Sequence, residues 1–260
     1  MENDNKKLIN RVLLVNDDGI DAPGFDILKK IAHKISREVW ISAPKKDNSG
    51  AGRSLTLRSD IKVNKRDDLT FEVDGTPTDC VILALNYFMK DKLPDLVLSG
   101  INAGRNAADD VTYSGTIGAA WEARILGIPS IALSQMYNKS FGMNFSAAEN
   151  YGFKIIERLI DRGWSDSTVI NINFPPVNFE NVKGFIACDL DSHKLKDDII
   201  PLEKEMTFKI GNMITKDHQK QFSDLYYLNE GFVTITPILL NLTNKEVLDN
   251  LRDKIDERFI

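Results

Sequence analysis

Between residues 11 and 173 the chain alternates short apolar runs with amphipathic stretches. Residues 11–15, 39–42, 94–99, 130–134 and 169–173 are mostly apolar and β-prone. Residues 24–35 place Phe25, Ile27, Leu28 and Ile31 at roughly helical spacing, and 116–126 and 146–161 read as further helices. Another opens at Thr76-Pro77-Thr78-Asp79 and runs to about residue 89. Its first residue can cap the helix, Pro77 occupies the tolerated first position, and Asp79 completes a capping box. Strands that alternate with such helices predict a parallel sheet with helices on both faces. Shorter alternating runs fall at 54–57, 61–64 and 70–73. After Pro175-Pro176 the rhythm changes: 184–188, 206–210 and 232–238 read as strands with no helices between them, and 244–255 as a final amphipathic helix. The expectation is an α/β fold with a doubly wound, mostly parallel core over 1–175. A smaller β-rich C-terminal extension with a terminal helix follows over 176–260.

Composition narrows the functional classes. With 33 basic and 38 acidic residues the net charge is -5, which counts against wrapping duplex nucleic acid or lying on anionic lipid. A small phosphorylated substrate remains compatible, because a local site can be positive in an acidic protein. Cys80 and Cys188 are too few for a disulfide framework and read as reduced, buried thiols of a cytoplasmic protein. The first apolar run, residues 12–15, is too short for a signal peptide or a membrane span, and residues 1–7 read as a solvated tail. An enzyme or a ligand-binding module acting on a small molecule fits these bounds.

In an open parallel sheet, ligands bind beyond the carboxyl ends of the strands, near the point where the strand order reverses. The first strand runs out into Asn16-Asp17-Asp18-Gly19, whose adjacent carboxylates fit either a divalent cation or an Asx-rich, solvent-exposed turn. The strand at 94–99 runs into Gly100-Ile101-Asn102-Ala103-Gly104, which brings the Asn102 amide toward the same edge. The loop Asp47-Asn48-Ser49-Gly50-Ala51-Gly52 adds a hydroxyl and small residues, suited to an anion, a metal or a flexible turn. Tyr113-Ser114-Gly115-Thr116 leads into a helix, and its hydroxyls and free amides suit a phosphate or an ordinary N-cap. No Gly-Lys-Ser/Thr follows to make a P-loop, and no G-x-G-x-x-G follows the first strand. His33 reads as a structural residue of the first helix; His193 and His218 sit in polar segments that could reach a pocket, with solvation the stronger reading. Without a G-x-S-x-G elbow or a Cys–His partnership, a covalent triad is not favoured.

Taken in order, these segments resemble the SurE (survival protein E) family of nucleotidases. The resemblance rests on residues 16–24, Ala43-Pro44 with Ser49-Gly50, and 75–81. It continues through 99–122, Asn171-Ile172-Asn173-Phe174-Pro175 and 230–237, and is loosest over 138–168 and 189–222. It implies a Rossmann-like core and a metal-dependent phosphatase acting on nucleoside 5′-monophosphates, with 3′-monophosphates a further candidate class. It assigns Asp17, Asp18, Ser49 and Asn102 to one divalent cation per subunit, Mg²⁺ or Mn²⁺, with Asp17 and Asp18 as the catalytic carboxylates. Asn106, Ser114, Gly115 and Thr116 match its phosphate-facing segment, and Ser223-Asp224 stands where the family usually has Thr-Asp. The nucleophile is left open between water and an aspartate. The resemblance also implies a homodimer or homotetramer, with the 176–260 region shaping subunit contacts and the pocket lid. Two rival readings share the fold: a receiver-like signalling module and a nucleotide binder without turnover. Against the first, the phosphoacceptor position after the 94–98 strand holds Ser99-Gly100.

Overall fold

A computed structural model describes residues 7–216 and 219–255 of the 260. Residues 1–6 of the expected tail and His218 lie outside the described residues.

The alternating half folds as the pattern predicts. Strand β1 (Ile9–Val15) is followed by helix α1 (Pro23–Ile35), β2 (Ser36–Pro44) and an edge pair, β3 (Val63–Lys65) and β4 (Thr70–Val73). Helix α2 (Pro77–Leu83) continues into a π-helical turn at Ala84–Phe88. Strand β5 (Leu96–Ala103), α3 (Gly115–Ile125), β6 (Ser130–Gln135), α4 (Ser146–Arg162) and β7 (Thr168–Phe174) complete this half. The α2 capping box forms as expected, with Thr76 accepting from the Asp79 amide and Asp79 accepting from the Thr76 amide. The Asp79 carboxylate also takes the Thr56 amide at 3.0 Å and its hydroxyl at 2.6 Å. That binding draws residues 54–57 into a loop tied to α2, where the sequence had suggested an alternating run.

The β1 run INRVLLV shows why helices cover both faces. Val12 and Leu14 pack into a cluster with α1 and α4, through residues such as Phe25, Leu28 and Ile155. Their neighbours Leu13 and Val15 pack into a second cluster with α2 and α3, through Cys80, Val81, Ala119 and Ala123. Successive strand residues point to opposite faces, so a run apolar at every position needs cover on both. Each such side chain contributes about 1.5–3 kcal/mol when fully buried.

The sheet has nine strands in the order β3-β4-β2-β1-β5-β6-β7-β11-β8. The two last-named strands are β8 (Gly184–Ala187) and β11 (Phe232–Leu239), so the region after residue 175 extends the main sheet. Pairing is parallel through the centre, and β11 runs antiparallel to β7. A two-stranded antiparallel hairpin stands apart, β9 (Lys194–Pro201) with β10 (Phe208–Thr215). Two expectations need correction here. The strand expected at 206–210 lies at 208–215 with an unforeseen partner, and helix α5 (Asp224–Asn229) interrupts a region expected to lack helices. The final helix is α6 (Lys245–Ile255). No described helix is long and apolar enough to cross a membrane.

The chain leaves β1 for β2 on one side, then returns to place β5 on the other. The strand order therefore reverses between β1 and β5, and their carboxyl ends flank the crevice where such sheets bind ligands.

Candidate active site at the switch point

A tight turn carries the chain off β1. The Asn16 side-chain amide donates to the Gly19 carbonyl at 2.6 Å, and the Ile20 amide donates to the Pro44 carbonyl at 2.9 Å. The turn holds Asp17 nearly buried, at 4% exposure, while Asp18 is half-buried. Asp17 Oδ1 accepts the Thr116 hydroxyl at 2.5 Å, and Asp18 Oδ2 accepts the Ala103 amide at 2.9 Å. Gly115 packs flat on Asp17: a Cβ there would stand 2.9 Å from Asp17 Cβ and 3.0 Å from its Oδ2.

These carboxylates are held at an electrostatic cost. Burial pushes the Asp17 carboxyl up to about 6; the Thr116 hydrogen bond opposes the shift and the Asp18 charge adds to it. Asp18 is also raised, by burial first, against the Ala103 amide and with the Asp47 charge. Neither forms an ion pair with a basic side chain among the described residues. A buried carboxylate left without a counter-charge is unfavourable unless a cation completes it. The neighbouring donors are the hard oxygens such a cation prefers. Asn102 lines the cleft and donates its amide nitrogen to the Gly104 carbonyl at 2.8 Å, which leaves its Oδ1 as the atom available to a cation. Ser49 Oγ sits on the same wall, in an Asx turn closed on Asp47 at 2.7 Å and 2.8 Å. Among the described residues no three His, Cys, Asp or Glu converge, so the set is two carboxylates plus neutral oxygens. A divalent cation fits that set.

The cleft has a volume of about 530 Å³. Asp17, Ser49, Asn102, Asn106 and Ser114 all line it. Gly115 and Thr116 lie behind Asp17, and the Thr116 hydroxyl spends its proton on that carboxylate. Ser114 caps α3 by accepting the Ile117 amide at 3.1 Å, which leaves its own proton free to donate. The Asn106 backbone is locked: its amide donates to Asn173 Oδ1 at 2.8 Å, and its carbonyl accepts from Asn171 and Asn173 at 2.8 and 3.0 Å. Its side chain donates to Ser134 Oγ at 2.8 Å.

Sequence reading missed several of these supports. Asn171 and Asn173 share one face of a wholly buried strand, and polar residues at period two in an apolar strand were a readable signal. Asp224 is fully buried and accepts the amides of Ala108, Asp191 and Leu225 at 2.8–2.9 Å, which ties the β5–α3 connection to the C-terminal region. Arg105, Asp110, Lys194, Asp197 and Met213 also line the cleft without having been singled out for it. His193, expected in solvent, is only 3% exposed because its amide and that of Lys194 donate to Asp109 at 2.7 and 2.8 Å. Cys80 is buried as expected, while Cys188 is only partly so. His33 lies on α1 but is exposed. A cleft of similar size, about 570 Å³, opens at the amino ends of the strands, lined by Lys7, Glu157, Arg158 and Asp161. It lies away from the strand ends that carry the paired carboxylates.

A doubly wound sheet with hard oxygen donors and a helix N-terminus at its switch point defines an α/β protein with a candidate small-ligand site. Comparison with known proteins specifies which. The family described as survival protein SurE matches residues 12–197. The 5′-nucleotidase SurE of Erythrobacter litoralis is 41% identical over 95% of this chain and 100% of that relative. The 5′-nucleotidase SurE of Caulobacter vibrioides is 41% identical over 93% and 95%. The crystal structure of the SurE protein from Aquifex aeolicus superposes with a TM-score of 0.83 at 33% identity, covering 95% of this chain and 100% of that one. The chain belongs to the SurE family.

Proposed function

We propose that the switch-point cleft hydrolyses nucleoside 5′-monophosphates to nucleoside and phosphate, with one divalent cation, Mg²⁺ or Mn²⁺, on Asp17, Asp18, Ser49 and Asn102. The chain is a 5′-nucleotidase by its family, with relatives of that name 41% identical over nearly its whole length. The observation that carries the site assignment is Asp17, a buried carboxylate beside a second one with no basic partner among the described residues.

When bound, the cation supplies the positive charge that offsets the phosphoryl oxygens and orients the groups around it. Thr116 holds Asp17 in one rotamer through its 2.5 Å hydrogen bond, and Gly115 lets the two approach. Ser114 donates its free hydroxyl proton to a phosphoryl oxygen. The positive end of α3 adds a favourable field at the same group. Asn106, fixed by Asn171 and Asn173, closes the far side. We further infer that the β9–β10 hairpin, whose Lys194, Ile210 and Met213 line the cleft, acts as its lid. The exposed Ile199 and Phe208 of the hairpin support a role in a homodimer or homotetramer. The free cysteines support a cytoplasmic setting.

The test is phosphate release from a panel of 5′- and 3′-nucleoside monophosphates. The expected result is release from 5′-monophosphates with Mn²⁺, loss in chelator and recovery when Mn²⁺ is restored. Nucleotide binding without turnover would make the chain a binding protein, and full activity in chelator would remove the cation from the account.

A further inference from the structure

Arg105 stands on the cleft wall beside Asn106 and Ser114, with its side chain 29% exposed. Its Nε donates to Asp110 Oδ2 at 3.0 Å, and its Nη2 lies 3.2 Å from His193 Nε2. Arginine stays protonated and offers no acceptor, so the imidazole must supply the lone pair. Nδ1 is buried without a hydrogen-bond partner among the described residues and lies 3.5 Å from Asp109 Oδ2, the same oxygen that receives the His193 and Lys194 amides. The backbone that carries the ring is fixed by Asp109, and Nε2 is left to face the guanidinium. Two of the three guanidinium nitrogens are thus held, and Nη1 makes no hydrogen bond to the described residues. Lys194, the other cation on this wall, is already engaged by Asp197 at 2.9 Å and the Tyr113 hydroxyl at 3.1 Å.

We propose that Arg105 contacts a phosphoryl oxygen of the nucleoside monophosphate through its spare Nη1, and that His193 is the positioning residue that aims it. This rests on the nucleotidase reading of the cleft. A guanidinium held on one edge adds a directed positive charge, at reduced ordering cost, to what the proposed cation and the helix end supply to a dianionic group seated between Ser114 and Asn106. Asp109 serves the same end at one remove, since its carboxylate fixes the backbone from which the His193 ring projects.

The test is steady-state phosphate release from a nucleoside 5′-monophosphate with Mn²⁺, with inorganic phosphate as a competing inhibitor. Arg105→Ala is expected to lower kcat/KM by about 10- to 100-fold and to weaken phosphate inhibition. Added guanidinium should restore part of that loss, and Arg105→Lys should fall between the two proteins. His193→Ala is expected to lower kcat/KM by about 3- to 10-fold, and His193→Gln, whose amide oxygen can take the place of Nε2, to recover most of it. A merely structural Arg105 would give a loss that guanidinium leaves untouched. That result, or unchanged kinetics in Arg105→Ala, overturns the proposal. His193→Ala with wild-type kinetics overturns the positioning role. If the wild-type protein releases no phosphate, the nucleotidase reading fails as well; if it does and Arg105→Ala matches it, only this inference falls.

Discussion

Asp17→Asn is expected to cut phosphate release by about 10³-fold while leaving the fold intact. The substitution keeps an oxygen for the Thr116 hydroxyl, 2.5 Å away, and keeps the side-chain volume against Gly115. What it removes is the charge that a cation would need. The same change should stabilise the cation-free protein. Burial raises the Asp17 carboxyl from its ordinary 3.8 to about 6, so between those values the unfolded chain gives up its proton before the folded one does. The contribution of Asp17 to wild-type stability therefore falls as pH rises through that window. Above it the cost is on the order of 2–3 kcal/mol, and below about pH 4 it vanishes. Asn does not titrate. In chelator, Asp17→Asn should melt above wild type at pH 7 and level with it near pH 4, as read by calorimetry. An active variant, or one less stable in chelator at pH 7, contradicts this account.

Gly24→Ala carries the second large effect, and its sign runs against propensity. In an exposed helix interior that replacement gains up to about 1 kcal/mol. Gly24 lies in the first turn of α1, where an added Cβ would stand 2.0 Å from the Ile101 carbonyl oxygen and 2.9 Å from the Phe145 ring. Backbone must move to admit it, at a cost of about 3 kcal/mol or more. For a chain of this size that lowers Tm by about 6–12 °C. Ile101 directly precedes Asn102, so the shift also displaces a proposed cation ligand, and activity should fall with stability. Thermal melts and phosphate release on the same sample check both halves. A melting temperature at or above wild type would show that α1 and β5 are not seated as described.

The parts of this fold that were legible in sequence are those whose local signals agree with their burial. Within β1, Val12 to Val15 are apolar because both faces there are covered, and Thr76 to Asp79 form a complete capping box within four residues. The parts that were not legible depend on partners distant in sequence. Strand β9 reads KLKDDIIP, with no alternation to detect, because the hairpin is exposed on both faces. Helix α5 spans six residues, too few to show a period. The site divides the same way. Asp17, Ser49, Asn102 and Ser114 could be picked from strand and helix ends, since an open parallel sheet sends those ends to one edge. Arg105 and His193 are separated by 88 positions, and only the fold shows that a solvent-like DSHK segment buries its histidine against the cleft.

The most direct measurement is a Mn²⁺ titration of the full chain, followed by calorimetry or by the paramagnetic signal of the free ion. It is run on wild type, Asp17→Asn and Asp18→Asn after each is shown to fold. The account predicts one Mn²⁺ per wild-type chain and loss of that site in both variants, in step with loss of phosphate release. Undiminished binding of one Mn²⁺ by both variants would contradict it and move the cation away from the end of β1.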